Sequence, residues 1–214
     1  MGVLLILQTT LVISVYIIAT QHGYLESPKL YLSSAFRRDP ARAIAGFILP
    51  VTAMIYGILV SHRLWQIFPL LRNGGDRRIF WISVFGLACA VFGMIGVSAV
   101  SLDTSKLIHW ITAAILFNGS GVLMLTLTLL DKRLRVAQPG WIMWVKIGFT
   151  ALTFISLAVM FSAVFFSYLV GSIFELILAA VLVAYLVTLV HDSCYPIIAN
   201  EKVPRSPRDI QDGL

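Results

Sequence analysis

Charge is scarce in this chain of 214 residues. Only 12% of positions are charged, against 59% hydrophobic, and the mean hydropathy is +0.91. So few polar side chains cannot cover a soluble globule of this length, which places the chain in a bilayer. Cysteine is nearly absent too: Cys89 falls in the middle of an apolar segment and Cys194 just beyond the last one. The two lie in different environments, which excludes a disulfide framework and reads each as a free thiol, with Cys194 open to juxtamembrane palmitoylation. No HExxH or related spacing is present, and no serine stands in a sharp glycine-flanked turn. The usual signatures of a hydrolytic zinc site and of a nucleophile elbow are therefore missing. Internal repeats are missing as well, and Pro50 by itself marks a kink rather than the paired broken helices of a transporter.

Long apolar runs are what the chain does have. Six are long enough for a hydrocarbon core, which takes about 20 residues at a rise of about 1.5 Å. They run approximately over residues 3–20, 43–60, 80–100, 108–130, 141–164 and 169–190. They are continuously apolar and do not alternate, so helices are predicted and a barrel is excluded. The last two runs are almost fused, and a tight turn is placed at Phe165, Phe166, Ser167 and Tyr168. The fold class is all-α: a polytopic membrane protein with six transmembrane helices in one bundle over residues 1–195, and a disordered tail over 196–214. A cleaved signal peptide is the alternative for the first run, but that run lacks a basic leading region and is long for a signal.

Orientation follows from the loop cations. Arg63, Arg72, Arg77, Arg78, Lys132, Arg133, Arg135, Lys202, Arg205 and Arg208 lie on one side, and Lys29, Arg37, Arg38, Arg42 and Lys106 on the other. The richer side is cytosolic by the positive-inside rule, so both termini are cytosolic and the loop over residues 21–42 is lumenal. The net charge of +6 is then an orientation signal and an attraction to anionic lipid heads, with no need of nucleic acid. Asn118-Gly119-Ser120 matches a glycosylation sequon but falls inside the fourth run, out of reach of the transferase.

Gly86, Ala90 and Gly93 form a small-residue stripe on the third run, with Ala180 and Ala184 repeating the spacing on the sixth. Such stripes let another backbone come close. Trp65, Trp81, Trp110, Trp141 and Trp144 all fall near run ends, where indole prefers the membrane interface.

The polar residues available for function are few. A hinge, SLDTSKLIH, carries Asp103 and His109 between the third and fourth runs, and Glu175 sits about 10 Å into the sixth from the same side. A charged acid inside a span costs about 2.5–3.5 kcal/mol on insertion scales, so Glu175 needs a partner or a proton. Its structural reading is a hydrogen bond to a group such as Asn118; its functional reading is a lumenal site shared with Asp103 and His109. For the latter two, a solvated hinge is the plainer reading. Arg37, Arg38 and Arg42 are candidate phosphate contacts, because guanidinium binds phosphate bidentately; a loop resting on anionic headgroups explains them equally well. A metal site would have only His22 and His109 on that side beside the two acids. The four histidines, two on each side, match the number needed for two haems, but none lies within the bundle. No cofactor is assigned.

Three stretches carry a family resemblance: SPKLYLSSAFRRDPARAIAGF, GMIGVSAVSLDTSKLIHWITAAILFNGSGVLML and SIFELILAAVLVAYLVTLVHD. Their order and placement resemble the six-span family that groups the autophagy modulator DRAM, the fibroblast growth factor receptor-activating protein, the GPI-anchor lipid-remodelling factor of the Golgi and a yeast regulator of phosphoinositide kinase signalling. The serine-rich segment before Pro40 and Arg42, with Ile108-His109, looks closer to the GPI-remodelling branch. Phe174-Glu175 and the Tyr185, Thr188, Asp192 pattern are shared more widely. The resemblance implies lipid remodelling or organisation in secretory or endolysosomal membranes, with no catalytic mechanism attached. Golgi or ER membranes are the expected location, lysosomal or plasma membranes the alternatives, and membrane lipids or a GPI-anchor headgroup the expected partners. The competing expectation is a non-enzymatic scaffold working through a cytosolic partner on the tail KVPRSPR, whose PxxP spacing suits an extended ligand.

Overall fold

The computed structural model describes residue 14 and residues 17–23, 39–71, 73–100, 104–134, 139–163 and 166–193. Five long helices carry the architecture: α1 (Ala41–Ile67), α2 (Gly74–Ala99), α3 (Lys106–Arg133), α4 (Gly140–Ala163) and α5 (Tyr168–Ser193). All five are long and apolar enough to cross a membrane, and no strand occurs among the described residues. The protein is thus a polytopic helical membrane protein. They match the second to sixth apolar runs, the fifth shifted by one residue and the others longer by a few; of the turn expected at 165–168, Phe166 and Ser167 lie between α4 and α5, Tyr168 opens α5, and Phe165 lies outside the described residues. The first run is helical over residues 17–21; most of it lies outside the described residues, as do Arg37, Arg38, Asp103, Cys194 and the tail.

Local signals start the helices where they start. Asn73 precedes α2 with extended backbone and its side-chain oxygen accepts from the Asp76 amide at 2.7 Å, while Ser105 does the same for α3 through the Ile108 amide at 3.4 Å. These caps satisfy amides that the first turn leaves without an intrahelical partner.

Helices α2 and α3 form the tightest pair, running antiparallel. A methyl group on Gly93 would stand 2.4 Å from the Leu116 amide nitrogen, and one on Gly119 would stand 2.6 Å from the Cys89 Cβ and 2.8 Å from the Ala90 nitrogen. One on Gly86 would reach the Gly119 carbonyl at 3.0 Å. The stripe Gly86, Ala90, Gly93 therefore brings the backbones together, and α3 answers with a glycine of its own. Near the far end of this pair, Arg133 reaches Asp76 at 3.3 Å; the arginine is half exposed, so the pair adds little.

Helix α3 is the hub. In its most apolar stretch 61% of residues are buried, against at most 39% in any other helix. The largest core cluster gathers around it from α1, α2 and α5, with Val60, Ile67, Leu127 and Leu130 at 0% exposure. Tyr185 of α5 ties in by donating to the Met124 carbonyl at 3.0 Å, with the Thr128 hydroxyl also at 3.0 Å. Residues of the family-like pattern in the last helix thus serve packing. A smaller cluster, Ala53, Met94, Leu116, Phe117, Leu157 and Leu178, continues towards the hinge end, where Ala19, Ala41 and Ala45 form a third. Outward faces carry Phe47, Met54, Ile58, Phe85 and Phe92, each well exposed, as surfaces in contact with acyl chains should be. All five tryptophans are exposed near helix ends, as an interfacial belt requires.

Candidate functional site

The antiparallel path of the helices puts the start of α1, the end of α2, the start of α3 and the start of α5 at one end of the bundle. That end holds Arg42, exposed in the first turn of α1, His109, in the first turn of α3, and Glu175, in the second turn of α5. The structure so gathers three of the six sequence-derived candidates at one membrane face, on three helices. Asp103, Arg37 and Arg38 lie outside the described residues.

His109 departs from the solvated-hinge reading. It is 3% exposed, and its Nδ1 lies 2.7 Å from the carbonyl oxygen of Val100, the residue that ends α2. A carbonyl only accepts, so Nδ1 carries the proton and donates. This fixes the neutral ring as the tautomer with its lone pair on Nε2. Nε2 is itself buried and has no hydrogen-bond partner among the described residues. The cause of the burial is the cap: Ser105 turns the chain into α3 tightly enough for the first turn to fold back on the end of α2. A buried, oriented and unsatisfied acceptor is what a donor ligand seeks, be it a hydroxyl or an amine.

Glu175 is 8% exposed, flanked on α5 by fully buried Ser172 and Leu178. It is a partnered acid rather than a free one. Asn118 is not part of its surroundings: that residue is exposed, faces away from the bundle centre, and donates its side-chain amide to the Ala114 carbonyl of its own helix at 2.8 Å. The expected bond from Glu175 to Asn118 is therefore replaced by a local bond within α3. Among the described residues no three of histidine, cysteine, aspartate and glutamate come together as a metal-binding group.

At the opposite end lies a constellation that sequence reasoning missed. Arg63 of α1, Asp131 of α3 and Lys146 of α4 meet with all three side chains at 0% exposure. Arg63 Nη2 donates to Asp131 Oδ1 at 2.8 Å and Lys146 Nζ to Oδ2 at 2.5 Å. Arg63 was counted as a loop cation in orienting the chain; it is instead a buried residue inside α1, and removing it from that count leaves the bias in the same direction. The carboxylate is divided between two cations from two helices, which pins α1 and α4 to α3. Lys146 gave a signal in the sequence, being the one charged residue in α4. An ionisable group within a span calls for a partner, and here the partner is Asp131.

With this geometry in place, comparison with known families identifies the chain. It belongs to the family described as Frag1/DRAM/Sfk1/Cwh43P N-terminal domain, whose model matches residues 2–192, a stretch that contains all five helices except the last residue of α5. Neither a curated protein nor a solved structure matches it.

Proposed function

We propose that this member of the Frag1/DRAM/Sfk1/Cwh43P family engages a lipid headgroup at the end of the bundle marked by His109, Glu175 and Arg42, and serves lipid remodelling or organisation. GPI-anchor lipid maturation in Golgi or ER membranes is the specific case. The observation that carries this reading is the buried Nε2 of His109, an oriented acceptor without a partner. A headgroup rich in hydroxyls, as inositol and sugar headgroups are, supplies the donor it lacks. Arg42, exposed at the same face, supplies a cation for the phosphate, and in this proposal Arg37 and Arg38 add two more. Asp103 and Glu175 complete the polar lining. A neutral imidazole that accepts from a hydroxyl is also the group that can withdraw its proton, so the same contact serves presentation or chemistry.

The experiment is mass spectrometry of GPI-anchor and phospholipid acyl chains in cells lacking the protein, rescued with wild type, His109→Asn or Glu175→Ala. Asparagine retains an N–H near the place of Nδ1, so it can keep the bond to Val100 while deleting Nε2. Wild type should restore the lipid profile and both variants should fail at normal abundance. Unchanged lipids in the null cells, or full rescue by His109→Asn, would end the proposal.

A further inference from the structure

A groove of about 420 Å³ opens between the outer faces of α2 and α3, lined by residues that include Phe85, Cys89, Ile115, Asn118 and Val122. Its lining is almost wholly apolar apart from Asn118. That residue lies twelve positions after Lys106 and fifteen before Arg133, which puts it about 18 Å and about 22 Å from the two ends of α3. It therefore sits near the bilayer midplane, beyond the reach of water and headgroups. One amide hydrogen of Asn118 is used on the Ala114 carbonyl; the second hydrogen and the side-chain oxygen have no partner among the described residues.

An acyl chain in this groove would satisfy the apolar walls and leave the carboxamide unpaired in hydrocarbon, where unpaired polar groups are costly. A sterol hydroxyl anchors at the interface, not at the midplane. What fits both parts is another transmembrane helix carrying a group that donates and accepts at this depth. We infer that the groove is the contact of a twofold homodimer, in which Asn118 of each copy pairs with the partner's Asn118. A carboxamide is self-complementary, so a twofold axis through this point gives two N–H···O bonds, each amide donating its free hydrogen to the opposite oxygen. Asparagine bonding across helices is an established way to join spans. Gly86 and Gly119, where α2 and α3 approach closely, form the floor of the groove. This inference is independent of the headgroup site, which lies at the end of the bundle.

The test uses the full chain in phosphatidylcholine vesicles over a series of protein-to-lipid ratios, with stoichiometry read by single-molecule photobleaching. Wild type and Asn118→Gln should dimerise, while Asn118→Leu should need about a tenfold higher protein-to-lipid ratio, the scale of two interhelical hydrogen bonds. In a background with Cys89 and Cys194 replaced by serine, Ile115→Cys should crosslink between copies on oxidation, and Ile58→Cys, exposed on α1, should not. Because Asn118 faces outward, its replacement by leucine spares the fold, which an unchanged melting temperature of monomeric protein would show. The inference is overturned if wild type stays monomeric at all ratios, if Asn118→Leu dimerises as well as wild type, or if Ile58→Cys crosslinks equally. A lipid or sterol that stays with monomeric wild type and is lost from Asn118→Leu would overturn it in favour of a lipid groove.

Discussion

Replacing Asp131 by asparagine tests the buried ion cluster most directly. The change is isosteric, so it leaves packing alone and removes one negative charge from between Arg63 and Lys146, both at 0% exposure. Breaking a buried pair by removing one member costs about 3–5 kcal/mol, because a charge is left without compensation in a low-dielectric site. Each cation keeps one other contact, Arg63 Nη1 donating to Gln66 Oε1 at 3.4 Å and Lys146 through a further interaction, and neither contact supplies the lost charge. At about 2–4 °C per kcal/mol for a chain of this length, the melting temperature in detergent should fall by roughly 6–20 °C. A second variant separates charge from packing. Arg63→Met with Asp131→Leu and Lys146→Met removes the whole cluster together, and since apolar replacements of buried ion pairs and triads are often neutral or better, it should recover most of the loss. The assay is thermal aggregation of purified protein, read beside cellular abundance. An Asp131→Asn protein that melts within about 2 °C of wild type would refute the claim that the cluster clamps α1 and α4 to α3.

Two further substitutions probe packing, and one probes the headgroup end. Gly93→Ala puts a methyl 2.4 Å from a backbone nitrogen of α3 that cannot swing aside, so a loss of about 1–3 kcal/mol is expected in the same melting assay; Gly46→Ala, with open space around it, should be neutral. Tyr185→Phe removes the bond to the Met124 carbonyl and should cost about 1 kcal/mol, measured by thermal or denaturant unfolding. His109→Asn should leave the melting temperature within about 1–2 °C of wild type, since the deleted nitrogen bonds nothing among the described residues. A large drop would assign His109 to structure, whatever the lipid profile shows.

Much of this fold was legible because a bilayer makes few demands and enforces them strictly. Continuous apolar length located all five described spans, and i, i+4, i+7 spacing of Gly86, Ala90 and Gly93 marked the closest helix contact before any coordinates. What stayed hidden was which way individual polar side chains turn. Asn118 is two residues from both Leu116 and Ser120, each buried, and two helical steps turn a side chain by about 200°. That arithmetic would have sent Asn118 outward and removed it as a partner for Glu175. Arg63 and Asp131 sit near helix ends, where a charge reads as solvated, and only their meeting in space reveals a cluster. His109 was placed at the correct end, but its burial depends on the turn at Ser105 bringing the ring under Val100, which no periodicity encodes.

The two ends of the bundle divide the physical labour. At one, Arg63, Asp131 and Lys146 lock three helices beneath the largest apolar cluster, so relative motion of α1, α3 and α4 there would separate charges in a dry interior. At the other, His109 keeps an acceptor that finds no partner among the described residues. A bundle locked by buried charges at one face opens more readily at the other. A headgroup entering there would gain the His109 bond. The prediction that follows is one of coupling: Asp131→Asn, more than 20 residues from His109 along α3, should impair lipid rescue in proportion to lost stability, whereas His109→Asn should impair it at full stability. If Asp131→Asn instead abolished rescue while melting like wild type, the buried cluster itself would be the working site, and the division between a structural and a functional end would be wrong.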